Sequence, residues 1–193
     1  MAHDYKLWFR SVLAYTVAGC VSATLVGFML GAIGGGLGGG ASRGVAFYLI
    51  GFLSLVLAAR EWGWIGFRLP ERKLQTEKVW VHEFGFVTAS VMWGLHIGLG
   101  FATRITYGGF WVLVAVALAL GDAVYGAELM LAYWLGRTLP VWIAPALLES
   151  GSDAVELSET VFGHRLVYHR IVGGALVWSA VLMVWLALPT QLP

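Results

Sequence analysis

The sequence predicts an all-α fold, a polytopic integral membrane bundle forming a single domain over residues 1–193, and three observations predict it. Hydrophobic residues make up 59% of the chain and charged residues 12%, about half the charged share of an ordinary soluble domain. Mean hydropathy is +0.79. The stretch from Ser11 to Ser42 runs 32 residues without a charge, where about 20 suffice to cross the hydrocarbon core. One helical domain of this length leaves no space for a soluble catalytic module, so enzyme activity is not the expectation. A net charge of +1, with no basic run interleaved with aromatics, gives no reason to expect nucleic acid. The expected partners are the lipid bilayer and other membrane subunits.

The elements follow in order. Residues 1–10 mix charge with Trp8 and Phe9 and read as an interfacial lead-in to a span near 11–34. That span is too long for a cleavable signal's apolar core and is expected to double as the insertion signal. Gly27 and Gly31 stand at the small-xxx-small spacing that lets helices approach closely. "GGGLGGG" at 34–40 is expected to be a loop, because it lacks the Gly-Lys-Ser/Thr ending of a phosphate cradle. A second span runs from about 44 to 65 and ends with Arg60, Glu61, Trp62 and Trp64 at the interface. "FRLPERKLQTEKVWVHE", within a loop at about 66–83, is the most polar stretch.

Residues 84–121 are then apolar except for His96 and Arg104. A straight helix of that length would reach about 57 Å, nearly twice the core. The sequence therefore requires a break: either two spans hinged at Arg104, or one discontinuous span preceded by an interfacial helix around 79–91. Glycines at 94, 98, 100, 108 and 109 supply the means. A further span extends from Asp122 to about Leu148, a second polar loop covers about 149–170, and a last span covers roughly 171–188.

The count is therefore about five spans, with six as the alternative. Lysine and arginine concentrate in cytoplasmic loops. Five spans place Lys6, Arg10, Arg60, Arg68, Arg72, Lys73, Lys78, Arg165 and Arg170 inside and only Arg43 outside. Six spans move Arg165 and Arg170 outside, beside Arg43 and Arg104. The cleaner asymmetry of five puts the N-terminus in the cytoplasm and the C-terminus outside, in a prokaryotic cytoplasmic membrane.

A weak internal repeat joins "LAYTVAGCVSATLVGFMLGAIG", from Leu13, to "LAYWLGRTLPVWIAPALL", from Leu131. Each is followed by a second glycine-bearing span, which suggests a two-helix half followed by a three-helix half. The order "GLHIGLGFATRITYGGFWVLVAVALALG", "LMLAYWLGRTLPVWIAPALL" and "HRIVGGALVWSAVLMVWLAL" resembles the second half of the cytochrome c biogenesis (CcdA/DsbD-type) transmembrane family. Tyr133, Gly136 and Pro140 match that family's Tyr-x-x-Gly-x-x-x-Pro helix. The resemblance covers roughly residues 11–188, with the family's first helix missing. It implies a shared scaffold. Where the family carries a Pro-Cys pair in its broken helix, this chain reads "ATRITYGG", and Cys20 is its only cysteine. Dithiol exchange needs two thiols that alternate between bonded and free, so the chain has no dithiol relay of its own.

The candidate polar site within the bilayer comprises Arg104, Glu128, His96 and Asp122. A charge within a span costs roughly 2.5 to 3.5 kcal/mol on insertion scales and tends to find a cavity or an acid. Glu128 and Asp122 are the acids within reach of Arg104, which is otherwise a loop residue between two short spans. His96 lies eight residues before Arg104, about 80° round a continuous helix. It is a buried histidine bonded to a freed carbonyl, or a ligand for haem or chlorophyll; no cofactor and no metal is the expectation. Glu128 and Arg137 diverge by 180° and do not pair, while Arg137 is expected to reach toward the cytoplasmic side. His82, Glu83, His164 and His169 are read as solvated loop groups. Gly98, Gly100, Gly108, Gly109 and Pro140 are the positions for breaking or packing the helices.

The expected role is handling or transport of a small solute, or service as an accessory subunit of a membrane complex. The alternatives are a thiol-redox component of cytochrome c biogenesis using Cys20 with a partner's thiol, and a pigment-bearing or haem-bearing subunit using His96.

Overall fold

The computed structural model describes residues 2–37, 43–69, 79–100, 107–147 and 165–188. Arg104, His164 and most of the two polar loops lie outside these residues. Among the described residues the protein is wholly helical, as its composition predicts. The helices are α1 (Ala2–Leu37), α2 (Arg43–Glu61), α3 (Val79–Gly98), α4 (Gly109–Leu120), α5 (Ala123–Leu147) and α6 (Arg165–Ala187). Three of them, over Tyr5–Leu37, Gly44–Glu61 and Leu166–Ala187, are long and apolar enough to cross a membrane. Large apolar side chains such as Leu49, Phe52 and Trp178 stand exposed on their outer faces, as a lipid-facing surface requires.

α1 extends past Gly34 to Leu37, so the glycine run is helical in its first half rather than a loop throughout. The reason is packing: Gly34 meets the backbone of Leu118, and Gly35 that of Gly121. The lack of side chains there serves close approach instead of a turn.

α3 is kinked at Gly85, whose φ of 76° and ψ of 168° interrupt the helix. The left-handed φ is one that glycine adopts without a Cβ penalty. The kink redirects 79–84 so that the Trp80 ring lies 6.1 Å from the His96 ring. A straight helix would hold residues that far apart in sequence about 24 Å from each other.

Beyond the kink, α3 and α4 both run alongside α1 in its own direction. Gly94 meets Tyr15 and Ala18, Gly98 meets Gly19 and Ser22, and Gly34 meets Leu118. The two short helices thus form successive halves of one rod, interrupted between Gly98 and Gly109. α5 returns antiparallel to α1, with Gly126 against Gly27, Trp134 against Gly19 and Trp142 against Phe9. α2 and α6 are likewise antiparallel, Gly51 lying by Ala180 and Met183, and Trp62 by Gly173. α4 is the shared element. Val112 joins Phe47, Leu57 and Leu176 in a core with α2 and α6, while Phe110 joins Met130 and Val26 in a core with α5 and α1.

α6 begins at Arg165, six residues earlier than the span expected from hydropathy. Its first turns carry residues that the sequence reads as loop, and this shifts the site.

Candidate functional site

The interruption of the α3–α4 rod sits beside a buried ion cluster. Glu61 is the last residue of α2, and a carboxylate at a helix C-terminus opposes the negative end of that helix's dipole. Its side chain is nonetheless 0% exposed. Three donors compensate it. Arg60 Nη1 reaches Oε1 at 2.7 Å, the backbone N–H of Gly108 donates to the same oxygen at 2.9 Å, and His169 Nδ1 contacts Oε2 at 2.5 Å. An ionised carboxylate only accepts, so Nδ1 carries the hydrogen in this pair. Gly108 is the N-cap position of α4 and has no capping side chain of its own. Glu61 therefore supplies from α2 the anion that the positive end of the half-helix favours.

The surrounding side chains hold this arrangement. Arg60 Nε also donates to the Phe67 carbonyl at 3.1 Å, and the guanidinium lies over the Phe67 ring. The Trp62 indole donates to the Arg170 carbonyl at 3.3 Å, fixing the end of α2 to the start of α6. The Tyr107 ring packs 5.3 Å from that of His169.

Two cavities flank the cluster. One, of about 610 Å³, is bounded by the cluster itself together with Trp62, Phe67 and Arg170. The other, of about 720 Å³, lies among α4, α5 and α6, within the size range of small-molecule pockets. Tyr107, Phe110, Tyr133, Arg137, Ile171 and Ser179 are among its walls. Tyr107 and His169 stand between the two spaces. Arg137 Nη1 donates to the Tyr133 hydroxyl at 3.2 Å, one helical turn away, so the guanidinium is drawn along α5 to the cavity wall.

The residues singled out from the sequence are dispersed. Asp122 caps α5: its Oδ1 accepts from the N–H groups of Val124 and Tyr125 at 2.8 and 3.0 Å, a bond pattern that contributes about 1 kcal/mol to a helix. Glu128 is exposed on α5, and Arg104 lies outside the described residues, so their pairing has no geometry here. His96 is half-buried against Trp80. Cys20 is half-buried on α1. Gly98 closes α3, Gly100 has a φ of +74° and lies against the Phe110 ring, Gly108 and Gly109 open α4, and Pro140 lies within α5.

Reading His169 as a solvated loop group is corrected: it is on α6 with 16% of its side chain exposed, paired to Glu61. The early start of α6 is the cause, because it turns the end of a polar stretch into a helix face against α2. Among the described residues no three His, Cys, Asp or Glu side chains converge as a metal site would need. Comparison of the chain with protein-family models, with curated proteins and with solved structures gives no match.

Proposed function

We propose that the protein is a five-span membrane protein that handles a small solute at the cavity beside the broken α3–α4 rod, on a scaffold resembling the CcdA/DsbD type and without a dithiol relay of its own. The observation that carries this reading is the cavity of about 720 Å³ walled by the first residues of α4. Transporter folds typically place solute sites where a discontinuous helix leaves its terminus beside a cavity. The alternation of directions supports five spans. α1, the α3–α4 rod and α6 run one way and α2 and α5 the other, with α1–α5 and α2–α6 antiparallel, as an inverted two-helix repeat requires. Tyr133 and Gly136, which carry the family resemblance, both line the cavity.

Substituted cysteines test the reading, because Cys20 is the chain's only native thiol. Cys20→Ser is expected to match the parent in expression and thermal stability, giving a clean background. In that background, single cysteines at Thr76 and Ser152 are expected to react only from the cytoplasmic side and one at Ser42 only from outside. Outside labelling at position 152 would refute five spans. Ser179→Cys, on the cavity wall, is expected to react with a small water-soluble thiosulfonate, whereas Val181→Cys, on the outer face of α6, is not. An inert cysteine at 179 would mean that water does not reach the cavity and that no solute is handled there.

A further inference from the structure

We propose that the cavity among α4, α5 and α6 binds an amphiphile with one anionic head group, the head on Arg137 and the hydrocarbon body along α4 and α6. The proposal rests on the reading above for the placement of the cavity in a membrane bundle.

Charge is the first argument. Among the described residues lining the cavity only Arg137 is charged, and the remaining walls are apolar apart from the hydroxyls of Tyr107, Tyr133 and Ser179. A guanidinium has five donors in a planar fork, and among the described residues its hydrogen bond is to Tyr133. A cation facing apolar surface is unfavourable unless an anion joins it. Among the described residues none lines this cavity. Glu61 lines the other cavity and is held by Arg60, Gly108 and His169. Glu128 lies nine residues before Arg137 on the same helix, half a turn round it.

Shape is the second argument. From Arg137 the cavity continues past Leu113, Ile171 and Ala175, which can contact hydrocarbon but cannot hydrate a compact ion. A small inorganic anion would leave that apolar space unfilled, and a neutral apolar molecule would leave the guanidinium unpaired. A carboxylate or phosphate matches the planar fork with two parallel bonds, and a chain attached to it covers the rest. The α4 N-terminus does not compete for the head group, because Glu61 already accepts from Gly108.

The test uses the full protein in phosphatidylcholine vesicles with three photoreactive probes sharing one diazirine-bearing sixteen-carbon chain: the free carboxylate, its methyl ester, and a phosphatidylglycerol acylated with it. Crosslinks are mapped by peptide mass spectrometry. The carboxylate is expected to label the walls around Leu113 and Ala175 several-fold more than the ester. Arg137→Gln should reduce it to the ester's level, and Arg137→Lys should retain part of the difference. Equal or stronger labelling of the same walls by phosphatidylglycerol assigns the head group to a membrane lipid, and preference for the carboxylate assigns it to a free amphiphile; both support the proposal. Ester labelling as strong as the carboxylate's in the parent protein overturns it without reference to any variant, as does unchanged carboxylate labelling in a folded Arg137→Gln. Reactivity of Ser179→Cys is scored separately. A water-accessible cavity with charge-independent labelling refutes this proposal and spares solute handling, while charge-dependent labelling with an inert cysteine does the reverse.

Discussion

Glu61→Ala is expected to lower the stability of the purified protein by about 3 kcal/mol, the lower end of the range of about 3 to 5 kcal/mol for removing one member of a buried charged pair. The carboxylate is fully buried, but the side chains of Arg60 and His169 keep 20% and 16% of their surface. The Arg60 charge is therefore partly screened by solvent, and this discounts the upper end. Alanine removes the partner of three nitrogens: Arg60 Nη1, His169 Nδ1 and the Gly108 N–H at the head of α4. Glu61→Gln keeps one carbonyl oxygen and sets an amide N–H2 toward either Arg60 or His169, so its loss should be smaller. A cycle of Glu61→Ala, His169→Ala and the double variant measures the pair by thermal unfolding in detergent. The double variant should lose less than the two single losses combined. A Glu61→Ala protein that melts with the parent would show that α4 does not depend on this cap.

Much of the frame is legible in the chain. The charge-free run from Ser11 to Ser42 specifies a long apolar helix, and the glycines between 94 and 109 mark the place where the rod is interrupted, because 38 apolar residues outrun the membrane. Asp122 follows Gly121 and precedes "AVY", a pattern that also reads as a helix cap, and its Oδ1 caps α5. The ion cluster was not legible from local pattern. Glu61 and His169 are 108 positions apart, and each sits at a helix end where hydropathy cannot distinguish a buried group from an interfacial one. The antiparallel pairing of α2 with α6, with Gly51 at the level of Ala180, places Glu61 beside His169 and Arg170. A signal did exist: a carboxylate closing a helix against its own dipole calls for a donor. The cavity depended on something that no sequence pattern encodes, namely that α5 and α6 flank α4 and leave a space between them.

Gly27→Leu is the second large effect expected, and its cause is backbone geometry rather than charge. A Cβ at position 27 would overlap the Gly126 carbonyl oxygen and lie 2.8 Å from the Met130 Cβ, while a Cβ at Gly126 would overlap the Gly27 oxygen in return. Neither backbone has a flexible side chain to yield, so α1 and α5 would have to move apart. That separation would extend to Trp134, which is 1% exposed and whose indole donates to the Thr16 carbonyl at 2.9 Å. It would extend also to Trp142, which donates to the Thr16 hydroxyl at 3.0 Å. Membrane helices associate through close packing and such interhelical bonds, without a hydrophobic drive between them. Overpacking costs about 1 to 3 kcal/mol; Gly27→Ala is expected within that range and Gly27→Leu at its upper end. Gly174→Ala is the control, since a Cβ there meets nothing within 4 Å and an alanine in a helix gains roughly 0.5 to 1 kcal/mol over glycine. Thermal unfolding of the three variants in one detergent makes the comparison. If Gly27→Ala melts with Gly174→Ala, the α1–α5 backbones are not in contact, and the shared core around Phe110 and Met130 would have to be held together from the α4 side alone.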